Sequence, residues 1–237
     1  MKIGIMQPYF FPYLGYWQLI KAVDEYVVYD DVTYIKGGWI NRNNILLNGK
    51  KHLITIPLEG SSSFKNINEI SLTKNLKLKQ KILKTLEMCY KKAPYYENIM
   101  PIIKNLIMKN ENIAMLNYHS IMAINEYLGI STKIHLSSKI KKDETLKGQE
   151  KVIHINQILG SDIYYNAIGG RELYDTNSFR KNGLKLCFLE MVVKEYKQYN
   201  NEFIPYLSII DVLMFNSVDN VNQLLDQYNI KEGKGEL

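Results

Sequence analysis

The chain has 237 residues, of which 46% are hydrophobic, and this composition excludes a disordered polypeptide because it supplies enough apolar surface for a core. Its formal net charge is +6, carried by scattered lysines without an RNA-binding motif, so we expect solvated lysines and no nucleic-acid partner. No apolar run reaches the roughly 18 residues of a membrane span, and too few apolar residues follow Met1 for a signal peptide, so we expect a cytoplasmic protein.

The N-terminal segment, residues 1–44, predicts a βαβ unit. Two short apolar runs, residues 3–6 and 26–29, are ended by Gln7 and by the pair Asp30-Asp31, and a segment with helical periodicity lies between them. Because parallel neighbouring strands end at the same edge of a sheet, we expect Gln7 and Asp30 to lie close together. Open α/β sheets bind their ligands at that edge.

The turn after the first predicted strand favours an anion but carries no dinucleotide motif. Residues 7–14 contain no glycine, so neither a Rossmann Gly-rich turn nor a P-loop is present. The first turn of the following helix still presents free N–H groups, which attract a phosphate or a carboxylate.

The loop after the second strand, residues 33–44, holds the densest group of polar, cationic and aromatic side chains. Its candidate site residues are Lys36, Trp39, Asn41, Arg42 and Asn43, beside the turn Gly37-Gly38. We predict that Gln7, Asp30 and Arg42 form one site, in which the guanidinium binds a phosphate or a carboxylate in bidentate fashion. The alternatives are a structural ion pair between Asp30 and Arg42, or a surface loop anchored by Trp39.

The rest of the chain predicts a mixed sheet and a group of helices. Asn48-Gly49 predicts a β-hairpin, which we expect to supply the antiparallel part of the sheet. Helical periodicity predicts packed helices, with two short helices or a kink at Pro101, as a subdomain of about residues 75–130. Further strands are predicted at 132–136, 162–166 and 184–189, further helices at 149–159, 173–181, 208–215 and 218–228, and a frayed tail at 231–237. The predicted fold class is α/β, with a single domain over residues 1–237.

Two later segments add candidate binding residues. Asn166 ends a predicted strand and is followed by Gly169-Gly170-Arg171, a turn and a cation that together suit an anion. Asp211 lies on an otherwise apolar segment. A buried carboxyl group needs a partner, either a helix N-terminus or a base.

Metal chemistry finds little support in the sequence. The 4 histidines and the 2 cysteines form no metal-ligand spacing, and the cysteines fit a reducing compartment. We therefore predict no metal site and no required cofactor. Asp30-Asp31 is the acidic pair that could hold Mg²⁺ beside a bound nucleotide.

Five motifs give the chain a family resemblance. The segments MQPYFFPYLGYWQLI, YDDV, GGWINRNNI, YYNAIGGRELY and LSIIDVLMFN resemble the WbqC-like protein family over most of the chain. The resemblance implies a setting in bacterial O-antigen and other surface-polysaccharide gene clusters. Some members of that family are labelled glycine transferases that act on amino sugars.

A second similarity concerns the first βαβ unit alone. Its layout resembles that of HIGH-type nucleotidyltransferases, such as the pantothenate synthetase class, in which a strand exit with proline precedes a helix that begins with an HxGH motif. Tyr13 and Tyr16 stand here where that motif has its histidines. Their absence argues against adenylyl transfer and leaves a nucleotide- or phosphate-binding core as the expectation.

The leading functional hypothesis is transfer of an acyl or aminoacyl group onto an amino group of a nucleotide-linked sugar. That reaction needs a base for the ammonium group and donors for the developing oxyanion. Asp30 or Asp31 is the candidate base, and the candidate donors are Lys36, Arg42 and Asn41. Tyr9, Tyr13, Tyr16 and Trp39 are candidates for stacking on a base or a sugar ring. The alternatives are a nucleotidyltransferase-like enzyme acting on a sugar or acyl phosphate, and a non-catalytic module that binds a sugar nucleotide.

Overall fold

The computed structural model describes residues 1–109, 112–200 and 202–233. Within these ranges the strands are β1 (Lys2–Met6), β2 (Glu25–Val28), β3 (Arg42–Leu47), β4 (Lys50–Thr55), β5 (Leu58–Glu59), β6 (Ser71–Leu72), β7 (Lys133–Leu136), β8 (Ile163–Ala167), β9 (Lys185–Met191) and β10 (Tyr228–Glu232). The helices are α1 (Leu14–Ala22), α2 (Leu76–Tyr90), α3 (Tyr96–Lys109), α4 (Ile113–Leu128), α5 (Gly148–Ile158), α6 (Thr176–Lys181), α7 (Ile209–Phe215) and α8 (Val218–Leu225).

The main sheet has six strands in the order β10-β9-β8-β1-β2-β7. β1 and β2 are parallel, with Ile3 opposite Glu25 and Met6 opposite Val28, and α1 connects them. The neighbouring pairs β2-β7, β1-β8 and β8-β9 are parallel as well, whereas β10 runs antiparallel to β9. The predicted βαβ unit and the predicted α/β fold with a mixed sheet are therefore confirmed.

The antiparallel part of the main sheet comes from a different segment than the sequence suggested. The hairpin at Asn48-Gly49 forms, but β3 and β4 make a separate two-stranded sheet. The antiparallel strand is β10, in a segment that was predicted as the end of a helix and a frayed tail. Its pairing with β9 satisfies backbone groups that would otherwise lie open at the edge of the sheet. Residues 234–237 of the predicted tail lie outside the described residues.

The helical segment after the hairpin forms α2, α3 and α4, as the periodicity predicted. Of the two alternatives at Pro101, the one with two short helices is wrong, because α3 runs through this residue. Its buried face, which includes Ile103 and Ile107, packs into the core and stabilises the helix despite the missing N–H group. α4 is capped by Asn112, whose side chain accepts hydrogen bonds from Ala114 N and Met115 N.

The sheet is covered on both faces by helices. One face packs with α1, α4, α7 and α8 in the larger apolar cluster, and the other packs with α5 and α6 around Ile3, Ile5 and Phe188. Along the chain, the parallel strands proceed from β1 through β2 to β7, and then return to the other side of β1 as β8 and β9. That is the strand order of doubly wound nucleotide-binding sheets, in which the ligand crevice lies where the order reverses. Here the reversal lies between β1 and β8.

None of the helices in the described ranges is both long and apolar enough to cross a membrane.

Candidate functional site

The point where the strand order reverses lies among residues that the sequence analysis selected. Gln7 directly follows β1, and Asn166 is the penultimate residue of β8. The chain after β8 forms a 3-10 helix, Ile168–Leu173, that contains Gly169, Gly170 and Arg171. We call this region, with the residues that follow β2, the switch-point edge. The structure thus brings the early and the late predicted binding segments to one edge of the sheet.

A network of hydroxyl and amide groups occupies the β8 part of the switch-point edge. Asn166 Nδ2 donates to the hydroxyl oxygens of Tyr164 at 2.6 Å and Tyr174 at 3.2 Å, and these two hydroxyl groups are 3.0 Å apart. A Cβ atom added at Gly170 would lie 2.7 Å from Asn166 Oδ1, so the close approach of backbone to amide requires glycine. The Gly-Gly turn therefore packs on Asn166, whose amide is engaged within the protein.

The β2 part of the edge is a cluster of charges around Asp31. Asp31 Oδ2 lies 2.7 Å from Lys142 Nζ and 3.1 Å from Lys151 Nζ. The Glu144 carboxylate lies farther from the same two ammonium groups, at 3.5 and 3.7 Å. Lys151 Nζ also lies 5.6 Å from the ring centroid of Tyr29. We call Asp31, Lys142, Glu144 and Lys151 the lysine cluster.

The lysine cluster alters the chemistry expected of Asp31. Burial alone raises the pKa of this carboxyl group, but the ammonium group of Lys142 and the other cluster contacts outweigh it and lower the pKa below the usual value. A carboxylate with a lowered pKa is a weak general base near neutral pH. Asp31 is therefore better suited to holding two cations in place than to accepting a proton.

Asp30 lies beside the cluster but has a separate set of partners. Its side chain is buried, Oδ1 accepts a hydrogen bond from Ser138 N at 2.9 Å, and Oδ2 accepts one from Ser138 Oγ at 2.6 Å. These bonds tie the end of β2 to the 3-10 turn Ser137–Lys139 that follows β7. Asp30 thus joins two neighbouring strand ends.

Arg42 does not contact Asp30. Its Nε atom donates to the Gly38 carbonyl oxygen at 3.1 Å, and its Nη2 atom donates to that of Gly37. The guanidinium therefore braces its own loop, at a turn where Gly37 has a φ of +75°. The alternative of a structural ion pair between Asp30 and Arg42 is therefore wrong, and the predicted grouping of both with Gln7 as one binding site gains no support from their contacts.

Replacing Asp30 by asparagine is consequently expected to affect stability rather than binding. The amide keeps one acceptor oxygen but loses one charge-assisted hydrogen bond to Ser138, so the free energy of unfolding should fall by about 1–2 kcal/mol. Chemical denaturation measures the loss, and a double-mutant cycle with Ser138→Ala should show that the two effects are not additive. A variant of unchanged stability with weakened ligand binding would restore the original prediction for Asp30.

Two of the predicted polar residues, Asn41 and Asn43, support the loops around the N-terminal motif. Asn43 Nδ2 donates to the carbonyl oxygens of Phe10 at 3.1 Å and Phe11 at 2.8 Å, holding Phe11 at a φ of +41°. Asn41 accepts from the Tyr34 hydroxyl at 3.0 Å and donates to Ile56 O at 3.0 Å. Both amides are buried and rigidify the scaffold.

Two further candidate site residues, Tyr16 and Lys36, differ in their exposure to solvent. Tyr16 is fully buried and donates its hydroxyl hydrogen to Gln7 O at 3.0 Å, so its ring is closed to a ligand. Lys36 is exposed, and it has no ion pair among the residues that the structure describes. Of the two, Lys36 alone is available to a bound molecule.

An aromatic cleft gathers four of the predicted substrate-binding residues. Its cavity volume is about 250 Å³, and it is lined by Tyr9, Pro12, Tyr13, Trp39, Asn43 and Tyr206. The volume is below the roughly 300–1,000 Å³ of sites that enclose drug-sized ligands, so the cleft suits a single sugar or base ring. Tyr206 is the residue that sequence reasoning missed; it is 55% exposed, and its ring centroid lies 6.3 Å from that of Tyr13.

The walls of the aromatic cleft are fixed by hydrogen bonds from distant segments. Phe10 N donates to Trp39 O at 2.9 Å, and Ser208 Oγ donates to Phe11 O at 2.7 Å. Asn117 Nδ2 donates to Pro8 O at 3.1 Å. α1 begins directly behind Tyr13, and its N-terminus has no side-chain cap. These hydrogen bonds preform the cleft. Its first lining residue, Tyr9, lies two residues after Gln7.

Asp211 lies in the core behind these loops. Its carboxylate accepts hydrogen bonds from the hydroxyl groups of Tyr90 at 2.8 Å and Tyr196 at 2.6 Å, and from Gln198 Nε2 at 2.7 Å. Burial raises the pKa of Asp211 above its usual value, although the three donors oppose this shift. Asp211 is fully buried. The sequence analysis expected a buried carboxyl group here to need a partner, and its partners are core side chains.

The acidic pair does not fit a divalent cation. The oxygens of Asp30 are used by Ser138, and Asp31 faces two ammonium groups that would repel the ion. Among the described residues, no group of three or more His, Cys, Asp or Glu side chains is placed to hold a metal.

The residues that sequence reasoning missed at the switch-point edge are Tyr29, Lys142, Lys151 and Tyr174. Lys142 belongs to a lysine-rich segment, residues 139–142, whose composition is typical of a solvated surface. Lys151 lies in the first turn of α5, which begins with polar residues. No local signal separates these lysines from exposed ones. The sequence signal that could have indicated a site here is Tyr29, an aromatic residue directly before Asp30-Asp31 at the end of a strand.

Comparisons with known proteins agree with the sequence motifs. The family model of the WbqC-like protein family matches residues 7–223. A protein of Mycobacterium tuberculosis (strain ATCC 25618 / H37Rv), described as uncharacterized protein Rv1507c, is 28% identical over 216 residues, which cover 90% of this chain and 92% of that protein. No solved structure matches. The family match spans the switch-point edge and the aromatic cleft, and the chain belongs to the WbqC-like protein family.

Proposed function

We propose that the protein is a transferase that places an acyl or aminoacyl group on the amino group of a nucleotide-linked sugar. The observation that carries the proposal is the aromatic cleft of Tyr9, Tyr13, Trp39 and Tyr206, which begins two residues beyond the point where the strand order reverses. Aromatic faces bind sugar and base rings, and the switch-point edge of such sheets binds the nucleotide part of a ligand.

The size of the cleft and the charge of the lysine cluster support an anionic ligand with at least one ring. The cleft holds about one ring in its 250 Å³, and the lysine cluster places two ammonium groups at the end of β2. A sugar nucleotide has this composition, with rings at both ends and a charged diphosphate between them. The surface-polysaccharide setting that the family resemblance implies is consistent with such a substrate.

Acyl transfer to an amine needs hydrogen-bond donors where negative charge develops on the carbonyl oxygen. Burial raises the pKa of the Tyr9 and Tyr13 hydroxyl groups, so both stay protonated and act as donors rather than as bases. Lys36 is an exposed cation on the loop that also carries Trp39. These groups are the candidates for stabilising the transition state.

The strand order favours a second candidate, a nucleotidyltransferase-like reaction, because the same order serves many nucleotide-binding enzymes. The positions that resemble the HxGH motif hold Tyr13, which lines the cleft, and Tyr16, which is fully buried. A ring without access to the ligand cannot replace a histidine that contacts phosphate. The geometry therefore supports ligand binding at this turn more than adenylyl transfer.

A ligand screen tests the proposal. UDP- or dTDP-linked amino sugars at about one hundred times Kd should stabilise the protein by about 2.7 kcal/mol, which raises Tm by roughly 5–10 °C in a chain of this size. ATP or CTP should give the larger shift if the second candidate is correct. Turnover of an acyl donor with the best amino sugar then separates a transferase from a non-catalytic binding module. If none of these nucleotides shifts Tm, the proposed function is wrong.

A further inference from the structure

The lysine cluster carries a charge balance that depends on one exposed residue. Lys142 and Lys151 together contribute two positive charges, and the partly buried Asp31 neutralises one of them. Glu144 supplies the second negative charge from a side chain that is 68% exposed. Without Glu144, the two lysines and Asp31 together would have a net charge of about +1, which favours the binding of another anion.

Glu144 is held more loosely than Asp31. Its oxygens lie 3.5 Å from Lys142 Nζ and 3.7 Å from Lys151 Nζ, whereas Asp31 Oδ2 lies 2.7 and 3.1 Å from the same atoms. Because the Glu144 side chain is itself largely exposed, solvent screens both contacts, and a pair screened in this way contributes about 1 kcal/mol or less to stability. Glu144 can therefore leave the cluster at little cost when a better anion arrives.

The two lysines are positioned independently of Glu144. The Lys142 side chain has no exposed surface, and its Nζ atom donates to Ser137 O at 2.5 Å as well as to Asp31. Lys151 lies in the first turn of α5, a helix of 11 residues whose N-terminus lacks a side-chain cap. Its ammonium group lies over the ring of Tyr29. A ligand would thus meet two fixed cations and the positive end of a helix.

We propose that Lys142 and Lys151 bind a phosphate or diphosphate group of the ligand, and that Glu144 occupies this subsite until the ligand displaces it. The inference deepens the proposed function, since the diphosphate would be that of the sugar nucleotide. A phosphate group fits better than a second carboxylate, because it has more oxygens to accept hydrogen bonds from both ammonium groups, and the uncapped N-terminus of α5 also favours an anion. It also carries more negative charge than the glutamate it replaces.

Titration calorimetry with inorganic diphosphate at constant ionic strength tests the subsite. Glu144→Gln removes the competing carboxylate and should tighten diphosphate binding at least threefold. Lys151→Met removes one of the two cations and should weaken it at least tenfold. Lys141→Met, which changes an exposed lysine of the same segment, is the matched control for net charge and should change the affinity less than twofold. Acetate at the same ionic strength should bind more weakly than diphosphate to the wild-type protein.

Several outcomes would overturn the subsite: no binding of diphosphate to the wild type, unchanged affinity in Glu144→Gln, or equal losses in Lys151→Met and Lys141→Met. Tighter binding of acetate than of diphosphate would assign the cations to a carboxylate instead. Should Lys151→Met fail to fold, Glu144→Gln still decides, because this residue is exposed.

The same titrations separate the subsite from the proposed function. If a UDP- or dTDP-sugar binds the wild type and Lys151→Met equally well, the subsite is wrong while the proposed function stands. If diphosphate binding depends on Lys151 but no sugar nucleotide binds more tightly than diphosphate itself, the subsite stands and the proposed substrate class is wrong.

Discussion

Replacing Asp211 by alanine is expected to lower the free energy of unfolding by about 3–5 kcal/mol, or roughly 6–20 °C in Tm for a chain of this size. The carboxylate accepts three short hydrogen bonds, from Tyr90, Tyr196 and Gln198. Truncation leaves the Tyr90 and Tyr196 hydroxyl groups without this acceptor, whereas Gln198 keeps its hydrogen bond to Ile204 O. Each buried donor without a partner costs about 1–3 kcal/mol. Urea denaturation followed by circular dichroism measures the loss.

Asp219→Ala is the matched control for this substitution. Asp219 is an exposed aspartate in the first turn of α8, the helix that follows α7, and it contributes to stability mainly through the helix dipole. That contribution is about 0.3–1 kcal/mol. If Asp211→Ala is as stable as this control but no longer binds a ligand, Asp211 is the substrate-binding residue that the sequence predicted and its core role is secondary.

The parallel core of the fold could be predicted because its signals are local. Residues 3–6 and 26–29 are uninterrupted apolar runs, and the segment between them has the period of a helix. β10 could not be predicted in the same way. Its sequence, YNIKE, is polar and mostly exposed, and what makes it a strand is the pairing of Tyr228 with Met191 and its neighbours along the edge of β9. The local residue pattern of β10 gives no information about its pairing with β9, which is distant in the sequence.

The candidate site also has a part that could be predicted from local sequence and a part that could not. Tyr9, Tyr13, Trp39 and Asn43 belong to two aromatic-rich segments, and the cleft that joins them follows from the predicted strand exit. The partners of the charged residues are not local. Ser138, which binds Asp30, lies 108 positions along the chain, and Lys151, which binds Asp31, lies 120 positions along it. A charge that is visible in the sequence does not reveal whether it is already paired in the fold.

Trp39→Ala should weaken the binding of a UDP- or dTDP-linked amino sugar about tenfold or more, with little change in stability. A stacked aromatic ring contributes roughly 1–3 kcal/mol to the binding of a base, and a tenfold change in affinity corresponds to about 1.4 kcal/mol. The Trp39 ring is 45% exposed, so its removal costs little core packing. The hydrogen bond from Phe10 N to Trp39 O is a backbone contact that alanine retains. Calorimetric titration of the sugar nucleotide measures the change in Kd.

Phe64→Ala provides the comparison for the loss of an aromatic side chain, because Phe64 is 97% exposed and does not line the cleft. This variant should bind the sugar nucleotide like the wild type. In a turnover assay, Trp39→Ala should raise KM more than it lowers kcat, since a stacking contact is made in both the ground state and the transition state. A loss of Tm in Trp39→Ala as large as the loss of binding would show that the ring supports the loop, and the aromatic cleft would then no longer carry the proposed function.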